Sequence, residues 1–312
     1  MIEIGMLGTS YYHPPHRMSI DEWATLTGQN EELAEKAKQQ YQIRFFHRAE
    51  EESVFEMASR AAEKLLDQNL CHRDDIDLVI YFHTLATSIP YNGESIPTKL
   101  CERFALKKAH GFSLAQQNCV SFMMALKVVQ QLMAYDESLN NVLIVGADKV
   151  LDEGSRNIEI MQMESDGAAA ALVQRGCNKN KVLSIECITH GEYFAGVGSQ
   201  TSANANTHRM MFLILNRLIR RSVEGIIDLD EINAILPHNV NPPGLQQVVR
   251  SLRLSKEILF DECIAENGHN FGCDNIINLQ NATDRGFVSA GDHAVLTAIG
   301  FGRTYGCMLL KI

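Results

Sequence analysis

The 312-residue sequence lacks several features that would fix its class at once. No window holds about 18 uninterrupted apolar residues, which excludes a membrane-spanning helix. Basic residues are in the minority: Lys and Arg number 28 against 38 Asp and Glu, a net charge of −10. A chain of that sign repels phosphate backbones, so nucleic acid is excluded as its main partner. Proline is scarce at 7 residues, and there is no low-complexity run, short-period repeat or long linker. None of the 8 cysteines forms a Cys-x-x-Cys pair, and the spacing of Cys263, His269 and Cys273 matches no zinc pattern. The opening Met-Ile-Glu-Ile-Gly-Met-Leu lacks the basic and apolar stretches of a signal peptide, which predicts a cytosolic protein with free thiols.

What is present is an ordinary globular composition, 46% hydrophobic and 21% charged. Its length fits about two domains, or one body of two halves. Strands and helices alternate. Residues 2–9, Asp77–Phe82, Gly111–Gln116, Asn141–Ala147 and Ala168–Val173 read as strands. Residues 52–67, 95–104 and 119–133 read as helices; the last is apolar nearly all round and therefore central. A second series follows, with strands at Lys181–Ile188, Ile232–Leu236, Ala294–Ile299 and Tyr305–Leu310. Its helices are 208–223, with a basic face, 243–252 and 273–281. This alternation predicts a mixed or largely parallel sheet covered by helices. The seam falls near residue 177, giving halves 1–176 and 177–312.

Four segments carry chemistry. In Gln116-Gln-Asn-Cys-Val-Ser-Phe122 a strand ends and the central helix begins. Cys119 at that helix start meets free N–H groups and the positive end of the dipole, which favour a nucleophilic thiolate. The alternative is one more small core residue. In Leu236-Pro-His-Asn-Val-Asn241, His238 follows a buried strand, where catalytic groups collect in α/β sheets, and Asn241 is placed to orient it. The alternative is a surface loop histidine. In Asn267-Gly-His-Asn-Phe-Gly272, two glycines bracket His269 on a tight turn, and Asp274 or Asn275 is available as a helix cap. In Gly300-Phe-Gly302, glycines expose backbone N–H groups that suit an oxyanion; the alternative is a Gly-rich hairpin. No Lys-Ser/Thr follows those glycines, so they are not a phosphate loop.

Taken in order, these segments resemble the thiolase-fold condensing enzymes, specifically the ketoacyl-acyl-carrier-protein synthase type III branch. Ile43–Arg48 with Glu51–Leu66, Ile76–Ile80, Asn141–Asp148, Ser165–Ala170, the Pro237-His238 pair and Gly300–Gly306 all match it. The resemblance implies a five-layered α/β fold of two similar βαβαβαββ halves and a homodimer. It implies that Cys119 accepts an acyl group from a thioester on acyl carrier protein or coenzyme A, and that a second substrate then attacks the acyl-Cys. His238 and His269 would polarise the thioester, with N–H groups of Cys119 and of Gly300, Phe301 or Gly302 on the oxyanion. No cofactor and no metal are implied.

The sequence also departs from that branch. The branch has Gly-Asn-x-Ser where this chain has Gly268-His269, so the third catalytic group is His269, or Asn270 if the alignment slips by one residue. Lys36 and Gln40 stand where a Trp and an Arg usually clamp adenine, which favours a carrier-bound donor over coenzyme A. Pro243 replaces a docking Arg, and Arg209, Arg217, Arg220 and Arg221 are the basic residues left to meet an acidic carrier. Gln116, Gln117 and Asn118 are polar where small residues are usual, and Phe122, Met123, Met161 and Met163 are either pocket or core. Three functions compete: condensation with a malonyl-type thioester, acyl transfer to a hydroxyl or amine, and a non-catalytic partner subunit.

Overall fold

Apolar runs long enough for a strand, but not a helix, sit between capped amphipathic helices, and the chain folds accordingly. The computed structural model describes residues 2–90, 92–158, 161–191, 205–300 and 303–312. The first half runs β1 (Ile4–Tyr12), β2 (Arg17–Ser19), α1 (Ile20–Thr27), α2 (Glu31–Tyr41), β3 (Phe45–His47), α3 (Val54–Leu66), β4 (Leu78–Phe82) and α4 (Ile96–Arg103). It continues with β5 (His110–Leu114), α5 (Ser121–Tyr135), β6 (Asn141–Asp148), β7 (Asn157–Ile158), β8 (Gln162–Met163) and β9 (Gly167–Arg175). The second half runs β10 (Lys181–Thr189), α6 (Ala205–Val223), β11 (Ala234–Pro237), α7 (Pro242–Ser251), α8 (Glu262–Asn267), α9 (Asp274–Asp284), β12 (His293–Gly300) and β13 (Thr304–Lys311).

The strands form one mixed sheet in the order β11-β12-β13-β10-β1-β9-β6-β4-β5. Outward from β1 the first half runs β9, β6, β4, β5, antiparallel at first and then parallel. Outward from β10 the second half repeats it as β13, β12, β11. The fifth strand of the repeat shrinks to a bridge between Ile235 and Leu259. At the seam the halves are pinched together at one pair, Gly5 and Lys181. A β-carbon on Gly5 would lie 2.5 Å from the carbonyl oxygens of Cys177 and Lys179, so only glycine permits this approach.

Five layers result. Helices α3 and α4 cover the outer face of the first half, and α6 covers that of the second. Between the halves lie α5 and α9, each touching strands of both. This explains the burial of β4 and β6 on both faces and their unbroken apolar sequence. It also explains α5, whose Phe122, Met123, Leu126 and Val129 have no exposure. The segment 10–50, unassigned by periodicity, forms a small lobe of β2, α1, α2 and β3. It is anchored by Trp23, fully buried, whose Nε1 donates to the Glu153 carbonyl at 2.8 Å. Ile43–Arg48 carries β3, which pairs antiparallel with β2 across the two helices between them, and α3 starts at Val54 behind a Ser53–Glu56 capping box.

Candidate active site

After β5 the chain makes a tight turn with two non-glycine residues in the left-handed region, Gln116 (φ 65°) and Asn118 (φ 52°). Such backbone is held only where the surroundings force it. Here it lifts Cys119 onto a single 3-10 turn that runs directly into α5. Cys119 is 2% exposed and packs with Val150, Phe271 and Leu85. The end of β12 runs against this turn. A β-carbon on Gly300 would meet the Gln117 carbonyl at 2.9 Å and the Cys119 nitrogen at 3.4 Å.

His269 reaches the sulfur from the other half. Gly268 precedes it at φ 63°, and a β-carbon there would collide with the Met163 carbonyl at 2.8 Å. The His269 backbone is clamped to the first half: its N–H donates to Met163 O and its carbonyl accepts from Ser165 N, both at 2.8 Å. The ring then stands with Nε2 3.5 Å from Cys119 Sγ and Nδ1 2.5 Å from Asp274 Oδ2. Asp274 also accepts from the backbone N–H groups of Asn239 and Asn270. Glu164, 2% exposed, lies with Oε2 4.0 Å from the same Nε2.

His238 stands edge-on to His269, with ring centroids 5.2 Å apart. Its Nδ1 accepts weakly from Ile299 N–H at 3.4 Å, which puts the proton on Nε2. That nitrogen is buried and makes no hydrogen bond. The pocket therefore offers a neutral, unused N–H donor.

The electrostatics divide the site. Burial pushes the His269 ring toward neutrality, but Asp274, Glu164 and Cys119 outweigh it and hold its pKa well above the ordinary value. Burial, and then the His269 cation, push His238 well below its ordinary value. Burial also raises the Cys119 thiol, and His269 offsets only part of that rise. The helix start predicts a favoured thiolate; the desolvated turn opposes it.

Placement of the remaining predicted residues is uneven. Asn270 does not reach the sulfur: its carboxamide donates to Asn267 O at 3.3 Å and faces the Gly167 backbone. Asn241 caps α7, accepting from Gly244 N at 3.2 Å, and its Nδ2 donates to Met161 Sδ. Among the described contacts it has none with His238. Gly300 is at the site, while Phe301 and Gly302 lie outside the described residues. Phe122, Met123 and Met163 are core. Arg217, Arg220 and Arg221 line a shallow surface cleft with Glu224 and Asp228; Arg221 pairs with Glu186 and Arg220 with Asn216. The side chain of Arg209 lies outside the described residues. Lys36 and Gln40 are exposed on α2. All eight cysteines are free, and among the described residues no group of three or more His, Cys, Asp or Glu is placed to hold a metal. Asp274 and Glu164 are the two site groups that motif reading misses.

Comparison with known proteins gives this geometry its context. Residues 115–191 match the sequence model of 3-oxoacyl-[acyl-carrier-protein] synthase III, and residues 225–312 match that of its C-terminal part. The β-ketoacyl-[acyl-carrier-protein] synthase III of Aquifex aeolicus is 27% identical over 278 residues, covering 84% of this chain and 85% of that protein. The crystal structure of the Aquifex aeolicus 3-oxoacyl-[acyl-carrier-protein] synthase III superposes with a TM-score of 0.84 at 22% identity, over 99% of this chain and all of that one. The priming β-ketosynthase of the R1128 polyketide pathway superposes at 0.82 with 19% identity, over 98% of this chain and 95% of that one.

Proposed function

Because the chain belongs to the 3-oxoacyl-[acyl-carrier-protein] synthase III family of acyltransferases, with its thiolase-like fold, we propose that it forms an acyl-Cys at Cys119 and condenses it with a malonyl-type thioester. The observation that carries this reading is Cys119 Sγ at 3.5 Å from a buried imidazole that Asp274 holds at its far nitrogen. A cation so placed steadies the thiolate that attacks the donor carbonyl. The carbonyl oxygen becomes an oxyanion beside the Cys119 N–H and the turn at Gly300, and the donor thiol leaves with a proton. In the second half-reaction the extender loses carbon dioxide, and the C–C electron pair stays on its α-carbon. His238 Nε2–H receives the negative charge on the extender's carbonyl oxygen. The α-carbon then attacks the acyl-Cys, and the thiolate is expelled back beside His269.

A second reading is transfer of the acyl group to a hydroxyl or amine. The sequence Cys119, His269, Asp274, a nucleophile followed by an imidazole and an orienting carboxylate, favours it. The reading further takes the donor as carrier-bound, with Arg217, Arg220 and Arg221 as docking contacts. It takes the protein as a cytosolic homodimer for which the free edge of β5 is available. Intact mass after incubation with acyl thioesters, on coenzyme A and on carrier protein, tests the first step. We expect a mass gain in the wild type and none in Cys119→Ala. No gain with any donor overturns the proposal in favour of a non-catalytic partner subunit. Carbon dioxide release from malonyl thioester separates condensation from heteroatom transfer, and light scattering reads the dimer.

A further inference from the structure

The site holds one acid that the mechanism above does not use. In Glu164-Ser165-Asp166-Gly167, three of the four residues are fully engaged by structure. Ser165 Oγ accepts from His47 N, and Asp166 accepts from Ala49 N and Val150 N and takes both Nη groups of Arg156. Gly167 allows the approach of Asn270. Glu164 is different. Gln162 Nε2 donates to its Oε1 at 2.7 Å, but Oε2 is buried and has no hydrogen bond. The Arg156 guanidinium spends its donors on Asp166, Glu153 and the Glu164 backbone carbonyl, so it does not neutralise the Glu164 side chain. The cation facing Oε2 is His269, and the paired backbones of residues 163–165 and 269 fix the two side chains side by side.

This matters because of a gap in proton traffic. His269 is an imidazolium with its Nδ1 proton committed to Asp274. It steadies a thiolate but has no lone pair with which to take the thiol's proton. His238 holds its proton on Nε2 and is pushed away from accepting another. Asp274 has all its oxygens occupied by N–H donors. We propose that Glu164 is the acceptor of the Cys119 thiol proton, reached through Nε2 of His269. The Nε2 proton of the imidazolium passes first to Oε2 of Glu164, which frees the Nε2 lone pair. The S–H bond of Cys119 then breaks as its proton passes to that lone pair. The products are a Cys119 thiolate, an unchanged imidazolium and a neutral Glu164 carboxylic acid. When the donor thioester is cleaved, Glu164 returns the proton by the same route to the departing thiolate, and the balance closes without any other reactant.

The charge environment suits the exchange. Burial raises the Glu164 carboxyl to about 7, with His269 acting in the opposite direction. It is thereby about half ionised at neutral pH, and its ionised form is basic. The groups facing it are His269 on the turn before α9, Asp274 at the start of α9, Cys119 on the 3-10 turn before α5, Gln162 on β8, and Asp148 at the end of β6, itself raised to about 7 by burial. Asp148 already accepts from Thr84 N, Leu85 N and Ser88 Oγ, so it has no equivalent free oxygen.

This proposal rests on Cys119 as the nucleophile, and its test needs no acyl donor. Iodoacetamide alkylation of Cys119 is followed from pH 5 to 10 by mass spectrometry of the tryptic peptide Ala109–Lys127, which contains no other cysteine. A thiol that passes its proton to an internal carboxylate reacts in two steps. Its rate rises as Glu164 ionises near neutral pH, levels off, and rises again when the thiol loses its proton to solvent. Glu164→Gln should give a single rise with no break near neutrality, and should slow acyl-Cys formation by on the order of 10²-fold at pH 7. Glu164→Asp keeps the charge and should keep the two-step form. A neutral break that persists in Glu164→Gln would belong to Asp148 and overturns the assignment. A single-step profile in the wild type overturns it too, even if Glu164→Gln fails to fold. If alkylation behaves as expected and no thioester acylates Cys119, the condensing function fails while the proton path stands.

Discussion

Replacing Asp274 by Asn keeps the shape of the site and removes one charge. Asp274 Oδ2 sits 2.5 Å from His269 Nδ1, which puts the charge centres about 4 Å apart. At an effective dielectric of about 20, such a pair is worth about 4 kcal/mol. That is about three decades in the ionisation of His269. Without Asp274, burial is the largest remaining influence on the ring, and it favours the neutral form. The imidazolium that steadies the Cys119 thiolate then rests on Glu164 and the sulfur itself, is less populated at pH 7, and recovers on acidification. We expect Asp274→Asn to lower the rate of acyl-Cys formation at pH 7 by about 10²- to 10³-fold, with the deficit shrinking toward pH 5. Stability should change as well. A histidine whose folded pKa is raised contributes stability that is complete below about 6.5 and lost as pH rises through the folded value. The variant should therefore lose more Tm at pH 6 than at pH 9. The Asn239 and Asn270 N–H groups also lose acceptor strength, at about 1–3 kcal/mol if left unpaired. The assay is single-turnover intact-mass kinetics on the folded fraction, with calorimetric melts alongside. Acylation within threefold of wild type at pH 7, on a folded variant, would refute the reasoning.

Other expectations are simpler. Gly300→Ala forces a methyl to 2.9 Å from the Gln117 carbonyl and should slow acylation by on the order of 10²-fold, read by the same mass kinetics. Asn241→Ala removes a helix cap and should cost about 1–2 kcal/mol in denaturant melts, while acylation per folded molecule stays within twofold. A loss of acylation there would restore Asn241 to the catalytic set. Charge reversal at Arg217 and Arg221 should raise the apparent KM for a carrier-bound donor and leave that for a coenzyme A donor unchanged; equal kinetics would remove α6 as the docking face.

The legible parts were those written in local pattern. The apolar run after Cys119 marked a central helix, and α5 lies between both halves of the sheet. Gly268 and Gly272 marked a special turn, and Gly268 is indeed at positive φ with the Met163 backbone against it. Asp274 was visible only as a helix cap, because an acidic residue at a helix start is the ordinary capping signal. That its carboxylate turns back onto His269 depends on the path of residues 269–273. Glu164 left no trace in periodicity, since its partner lies 105 positions away in the other half. The thiol's raised pKa was equally hidden, because desolvation comes from Val150, Phe271 and Leu85, none of them neighbours in sequence. The α1–α2 lobe did carry a signal, Ser19 with Glu22 as a capping box, that hydropathy alone passes over.

The pinch at Gly5 and the repeated strand order have a consequence for when the protein becomes reactive. Cys119 precedes α5 and His269 precedes α9, so the sulfur and its histidine hold equivalent places in the two repeats. Nothing inside either repeat fixes their separation. It is set where the repeats close, at contacts such as Gly272, whose missing methyl leaves room for Phe82 and the Cys119 carbonyl. During synthesis the first repeat emerges with Cys119 in place but with no imidazole, no Asp274 and no Gly300 turn against it. Its thiol then lacks every partner that the second repeat supplies, and the Cys119–His269–Asp274 arrangement is complete only once the second repeat has closed on the first.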